Sequence, residues 1–175
     1  GAEGTGIGKF GFILDCNPVV QILTGWTPSD RPDTDPKCDY ITDRIATWLG
    51  EGWRLAPDPH HPCQWRPREW NQVADCLAKR AMNSGGTELG ANKRPVGGNC
   101  RAWNILTFTD GGVRKRRIRD EAGIGWVVVG IRGKKVMRLI EGVRYLEKEG
   151  GRVDSFKTEV WALWDAVRSM DDFMK

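Results

Sequence analysis

Ile105-Leu106-Thr107-Phe108-Thr109-Asp110-Gly111-Gly112 is the stretch on which the reading of this chain turns. Ile105–Thr109 has the apolar, aromatic and β-branched make-up of a buried strand, and an acid followed by two glycines closes it. Two more strand-like runs follow at once. Ile124–Ile131 comes after a basic segment, and Lys135–Leu146 comes after Gly133. Connections this short predict an antiparallel meander. Phe156–Met174 then sets Val160, Leu163, Trp164, Val167 and Met174 along one helical stripe, with Glu159 beside it one turn in.

Upstream the character differs. Asn83–Asn99 is Gly-rich, polar and aperiodic, the composition of a flexible linker. Before it, Asn71–Met82 reads as a helix with Val73, Ala74, Leu77, Ala78 and Ala81 on one face. Trp53–Trp65 holds a strand that Pro57, Pro59 and Pro62 confine to a sheet edge or to a short run. Tyr40, Ile41, Ile45, Trp48 and Leu49 mark another helix ending near Gly50, and Gly25–Lys37 is a loop. Asn17 as N-cap and Pro18 at N1 start a first helix, and Lys9–Asp15 is a strand ending in an acid. The order is strand, helices, strand, helix, linker, three strands, helix. An α/β fold, a mixed sheet flanked by helices, packs these elements.

With 175 residues and 39% apolar content, residues 1–175 suit one compact domain. No apolar run approaches the roughly 20 residues that span a bilayer, so no membrane partner is expected. Five cysteines without a repeating spacing, and no secretory signal, point to an intracellular, reducing setting. Cys38, His60, His61 and Cys63 match no regular zinc module. Arg114, Lys115, Arg116, Arg117 and Arg119 concentrate the positive charge, either as a solvated loop or as a phosphate contact. Among nine tryptophans, Trp48, Trp126, Trp161 and Trp164 read as core, and Trp26, Trp65 and Trp70 as exposed.

Four acids stand out: Asp110; Asp15 in Ile13-Leu14-Asp15-Cys16-Asn17; Glu159 in Thr158-Glu159-Val160-Trp161-Ala162-Leu163; and Asp75 in Asn71-Gln72-Val73-Ala74-Asp75-Cys76-Leu77-Ala78-Lys79. Each has a plain explanation alone, since Asp-Gly-Gly is usually a turn and a first-turn acid usually serves the helix dipole. Together, in residue type and setting, they resemble the ribonuclease H family. Pro67-Arg68-Glu69-Trp70-Asn71-Gln72-Val73-Ala74-Asp75 is especially similar to its plant and retroelement branch. Residues 103–174 resemble that family's N-terminal half and residues 9–82 its C-terminal half, with 83–102 as the joining linker. The resemblance therefore implies a five-stranded mixed sheet in circularly permuted order. A single permuted chain or two chains pairing as a swapped dimer would both complete the site. Permutation is tolerated because domain termini often lie close together.

The resemblance also implies the chemistry. Asp110, Glu159, Asp15 and Asp75 would be at once the catalytic residues and the metal ligands, holding two Mg²⁺ ions, or Mn²⁺, about 4 Å apart. Asp110 would bridge both ions, Asp75 would help hold the one on the nucleophile side, and Glu159 and Asp15 would hold the other. The substrate would be an RNA–DNA hybrid, cut on its RNA strand to leave 5′-phosphate and 3′-hydroxyl ends, with no stable protein partner. Gly111, Gly112, Arg114, Lys115, Arg116, Thr158, Asn17 and Asn71 are the expected substrate contacts. One departure is clear: Trp65 occupies the place of the family's loop histidine, with His60 and His61 just upstream. The competing readings are a catalytically weak nucleic-acid-binding module and a DNA nuclease of resolvase or integrase type.

Overall fold

The computed structural model describes residues 8–25, 34–89, 100–117, 120–146, 154–171 and 174. Residues 26–33 of the expected Gly25–Lys37 loop, with Trp26, the linker core at 90–99 and Arg119, lie outside the described residues, and Asp35–Lys37 is helical and not loop, with Pro36 in the first turn. Among the described residues seven strands run in chain order: β1 (Lys9–Leu14), β2 (Arg54–Leu55), β3 (Cys63–Trp65), β4 (Glu88–Leu89), β5 (Asn104–Arg114), β6 (Glu121–Arg132) and β7 (Lys135–Leu146). Four helices accompany them: α1 (Asn17–Leu23), α2 (Asp35–Gly50), α3 (Gln72–Ser84) and α4 (Ser155–Met170).

The strands form one mixed sheet, in the order β2-β1-β5-β6-β7-β4, with β3 sharing the outer edge of β1 with β2. This corrects the expected five strands to seven. The prolines after Leu55 break the 53–65 run into two short ladders, β2 against Lys9–Phe10 and β3 against Phe12–Leu14. The last strand, β4, falls in the stretch read as linker. It follows Gly85, a left-handed residue that ends α3, and it pairs with β7 at Gly142–Val143. The predicted meander β5-β6-β7 is antiparallel throughout.

Period-2 alternation divides the core into two faces. Ile105, Trp126 and Val128 join α1, α2 and α4 in the larger cluster, where Val160, Leu163, Val167 and Met170 form the buried stripe of α4. Val127 and Val143 point the other way and meet Leu77 and Ala81 of α3. Helix α1 starts at Asn17 with Cys16 as its cap residue, so Asn17 is the first helical residue and not the cap. Trp48 and Trp126 are buried as expected, and Trp65 and Trp70 are exposed. Trp161 and Trp164 are only half-buried. Their faces carry cations: Lys37 Nζ lies 4.4 Å from the Trp161 ring centre, and Arg168 lies 4.1 Å from that of Trp164.

Candidate metal centre

The sheet brings Asp15 and Asp110 together. Strands β1 and β5 are parallel, with Ile13 beside Phe108, so continuing that register sets Asp15 abreast of Asp110. Asp110 does not end its strand. Strand β5 runs on to Arg114, with Asp110 opposite Gly125 and the two glycines opposite Ile124 and Gly123. The glycines make room for helices and not for a turn. A Cβ on Gly111 would lie 2.6 Å from Thr158 Oγ1 and 2.7 Å from the Thr158 carbonyl carbon, and one on Gly112 would lie 2.7 Å from Met82 Cε. Gly111 thus lets α4 approach closely, and its N–H bonds to the Glu159 carboxylate.

Asp15, Asp110 and Glu159 each offer a carboxylate oxygen, and these oxygens lie within 4.8 Å of one another. Asp75, on the first turn of α3, stands one step out. It shares a hydrogen bond with Asp110, and Lys79 Nζ is 3.0 Å from its Oδ2. The structure therefore gathers three of the four expected acids tightly and ties in the fourth through Asp110.

Burial first, then the charges of Glu159 and Asp15, push Asp110 well above the ordinary carboxylate range. Glu159 is also raised, chiefly by burial and then by Asp15. For Asp75, burial pulls upward, but hydrogen bonds with Asp110 and Lys79 outweigh it and the net shift is downward. In chemical terms Asp110 keeps a proton that its neighbours share.

Two buried oxygens, Asp15 Oδ2 and Glu159 Oε2, have no hydrogen-bond partner among the described residues. A cation does stand near that Asp15 oxygen, Arg68 Nε at 3.6 Å, but on a side chain 78% exposed. Unpaired buried carboxylate oxygens are costly. A cation answers both problems. The donor set is all hard oxygen, which suits Mg²⁺ or Mn²⁺, and Asp15, Asp110 and Glu159 are the residues that would hold it. The carboxylates open onto a polar cleft of ≈ 520 Å³, whose walls include Asn17, Arg68, Lys79 and Gly112.

The other expected contacts divide. Asn17 is exposed on the cleft wall, and Gly111 and Gly112 line it. Thr158 is buried and its hydroxyl donates to the Ser155 carbonyl at 2.7 Å. Asn71 is buried too, and its Nδ2 donates to the Thr109 carbonyl at 2.6 Å. Both bonds hold the site's backbone, while Asn71 Oδ1 has no hydrogen-bond partner among the described residues. The basic hairpin is also engaged elsewhere: Arg114 with Asn83 (2.7 Å), Lys115 with Asp120 (3.1 Å) and Arg116 with Glu121 (3.4 Å). None of those three cations lines the cleft. Trp65 donates from Nε1 to the Asp15 carbonyl at 3.2 Å. Arg68 and Lys79 were not singled out from the sequence. Only Lys79 had a signal, its i,i+4 spacing from Asp75. Cys16, Cys38, Cys63 and Cys76 are free thiols. Among the described residues no helix is long and apolar enough to cross a membrane.

No protein-family model matches the chain, and no curated protein matches it.

The acids make a stability prediction. Asp110 and Glu159 have folded-state pKa values above the unfolded ones, so their stabilising contribution is full below about pH 4 and is lost as pH rises. In EDTA the melting temperature should therefore fall by at least about 4 °C between about pH 5 and pH 9, and saturating Mn²⁺ should restore it. Asp165, raised by burial beneath Arg144, adds a part that Mn²⁺ does not restore. Calorimetry showing a metal-free melting point that is flat or rising over this range would contradict the charge crowding.

Proposed function

We propose that this chain is a metal-dependent endonuclease that hydrolyses the RNA strand of RNA–DNA hybrids, leaving 5′-phosphate and 3′-hydroxyl ends. The observation that carries the reading is the convergence of Asp15, Asp110 and Glu159, two of them with orphaned oxygens, at the floor of an open polar cleft. Asp15, Asp110 and Glu159 would hold a divalent cation there, and the chemistry it would supply is activation of a water and relief of charge on phosphoryl oxygens.

The chain's own residues do the rest. Asp110 would give up a proton to hold a cation, so binding would release acid. Gly111 N–H orients the Glu159 carboxylate. Asn71, clamped to Thr109, fixes the start of α3 against β5 and so the place of Asp75. Recognition of the RNA strand would rest on its shape and 2′-hydroxyls.

A ribonuclease H-like fold in permuted order is part of the same proposal. Its support is that β1, from the first half of the sequence, lies parallel beside β5, from the second, in one sheet.

The test is cleavage of an end-labelled RNA–DNA hybrid in Mg²⁺ and in Mn²⁺, with duplex DNA alongside. Cutting of the RNA strand alone, blocked by EDTA, is the expected result. Tight hybrid binding without cutting in either metal would make the chain a binding module. Cutting of duplex DNA would make it a DNA nuclease.

A further inference from the structure

Arg68 opens a short 3-10 turn, Arg68–Asn71, whose backbone is anchored on both sides. Arg66 N–H bonds to the Leu14 carbonyl at 2.9 Å, Trp70 N–H bonds to the Pro67 carbonyl at 2.9 Å, and Asn71 is clamped to Thr109. The strands that carry Asp15 and Asp110 thus also position Arg68. Its side chain is nonetheless the most exposed part of the site, at 78%. Its ion pair with Asp15, 3.6 Å from Nε, is beyond hydrogen-bond reach and leaves the guanidinium fork uncommitted. Lys79, the other cleft cation, is tied to Asp75 at 3.0 Å. Arg68 further lines a second hollow, ≈ 380 Å³, that continues from the cleft past Gln72 and Cys76 along α3.

A planar guanidinium on a fixed backbone at the rim of an acid cluster matches a tetrahedral anion, since its paired N–H groups fit two phosphate oxygens at once. We propose that Arg68 is the phosphate-contacting cation of this site. It pairs loosely with Asp15 while the acids lack a cation, and it turns to a non-bridging oxygen of the bound strand once a divalent ion takes over that carboxylate. The inference rests on the nuclease reading above and adds a contact to it.

The proposal predicts two effects of opposite sign, which a merely structural role would not give. Removing a positive charge beside Asp15 should tighten metal binding, and removing the phosphate contact should slow cutting. The experiment compares the native chain with Arg68→Ala and Arg68→Lys. Mn²⁺ affinity is read by calorimetry, and single-turnover hybrid cleavage is read at saturating Mn²⁺. Arg68→Ala should bind Mn²⁺ about three- to tenfold more tightly and cut about 100-fold more slowly. Arg68→Lys, which keeps the charge and loses the fork, should fall between. Native-like cutting by Arg68→Ala overturns the assignment alone, as does cutting lost in step with Mn²⁺ affinity. A native chain that cuts no hybrid overturns the nuclease reading, and this inference goes with it.

Discussion

Asp110→Asn is expected to slow hybrid cleavage by on the order of 1,000-fold or more and, at the same time, to stabilise the metal-free protein. Asn keeps the size of the side chain and can still donate to Asp75 and Glu159, so the fold has no reason to open. What it removes is the central ionisable carboxyl of the cluster, which hydrogen-bonds both Asp75 and Glu159. Without it a cation held there would have one carboxylate fewer. The same charge is what the metal-free fold tolerates least, because burial and two neighbouring carboxylates oppose it. At about pH 8 in EDTA the variant should melt at least about 4 °C above the native chain, with most of the pH slope gone. Calorimetry and a cleavage time course decide the matter together. Cutting within about tenfold of native would remove Asp110 from the reaction, and an unchanged melting point would mean that its charge is already relieved by a neighbour.

The second large effect belongs to Gly125, opposite Asp110 on β6. A Cβ there would sit 2.5 Å from the Ala78 nitrogen, 2.5 Å from Leu77 Cβ and 2.6 Å from the Ala74 carbonyl oxygen. Two of those atoms are helix backbone and have no rotamer into which to retreat. Gly125→Ala must therefore lift α3 off the sheet, at a cost of about 3 kcal/mol, or about 6 to 12 °C in melting temperature. Because α3 carries Asp75, the shift should also weaken Mn²⁺ binding. Gly112→Ala is the contrast: its new Cβ meets mainly the tip of Met82, which can swing aside. A loss below about 2 °C for Gly125→Ala would show that the helix has slack there.

Periodicity carried most of the fold. The stripes of α3 and α4, and the three runs that became β5, β6 and β7, were legible because burial of one face imposes a repeat on the sequence. The acids were legible because charge at the margin of an apolar run demands a reason. What was hidden needed a third dimension. Asp-Gly-Gly carries a turn signal, yet β5 continues through it because Thr158 and Met82 press on those glycines. Asn71 and Thr158 have side chains that could contact a ligand, but each bonds a backbone carbonyl inside the fold. The basic run after Gly112 looked free until the hairpin register set Arg114 opposite Glu121. Arg68 stood inside a quoted motif, but its nearness to Asp15 was hidden because the two lie far apart in the chain.

The parallel pairing of β1 with β5 has a consequence for how the molecule comes into being. Phe12 aligns with Thr107, so more than half the chain separates partners in the middle of the sheet. Such a contact cannot nucleate locally, and closing so long a loop costs entropy before any pairing rewards it. The antiparallel meander, with its short hairpins, has no such burden and can form first. During synthesis β1 and its acid therefore emerge early and wait, unpaired on their inner edge, until the strand beside them has been made. The two halves of the acidic pocket are strangers for much of the chain's assembly, and the long-range closure that joins β1 to β5 is also the step that creates a place where a metal could sit.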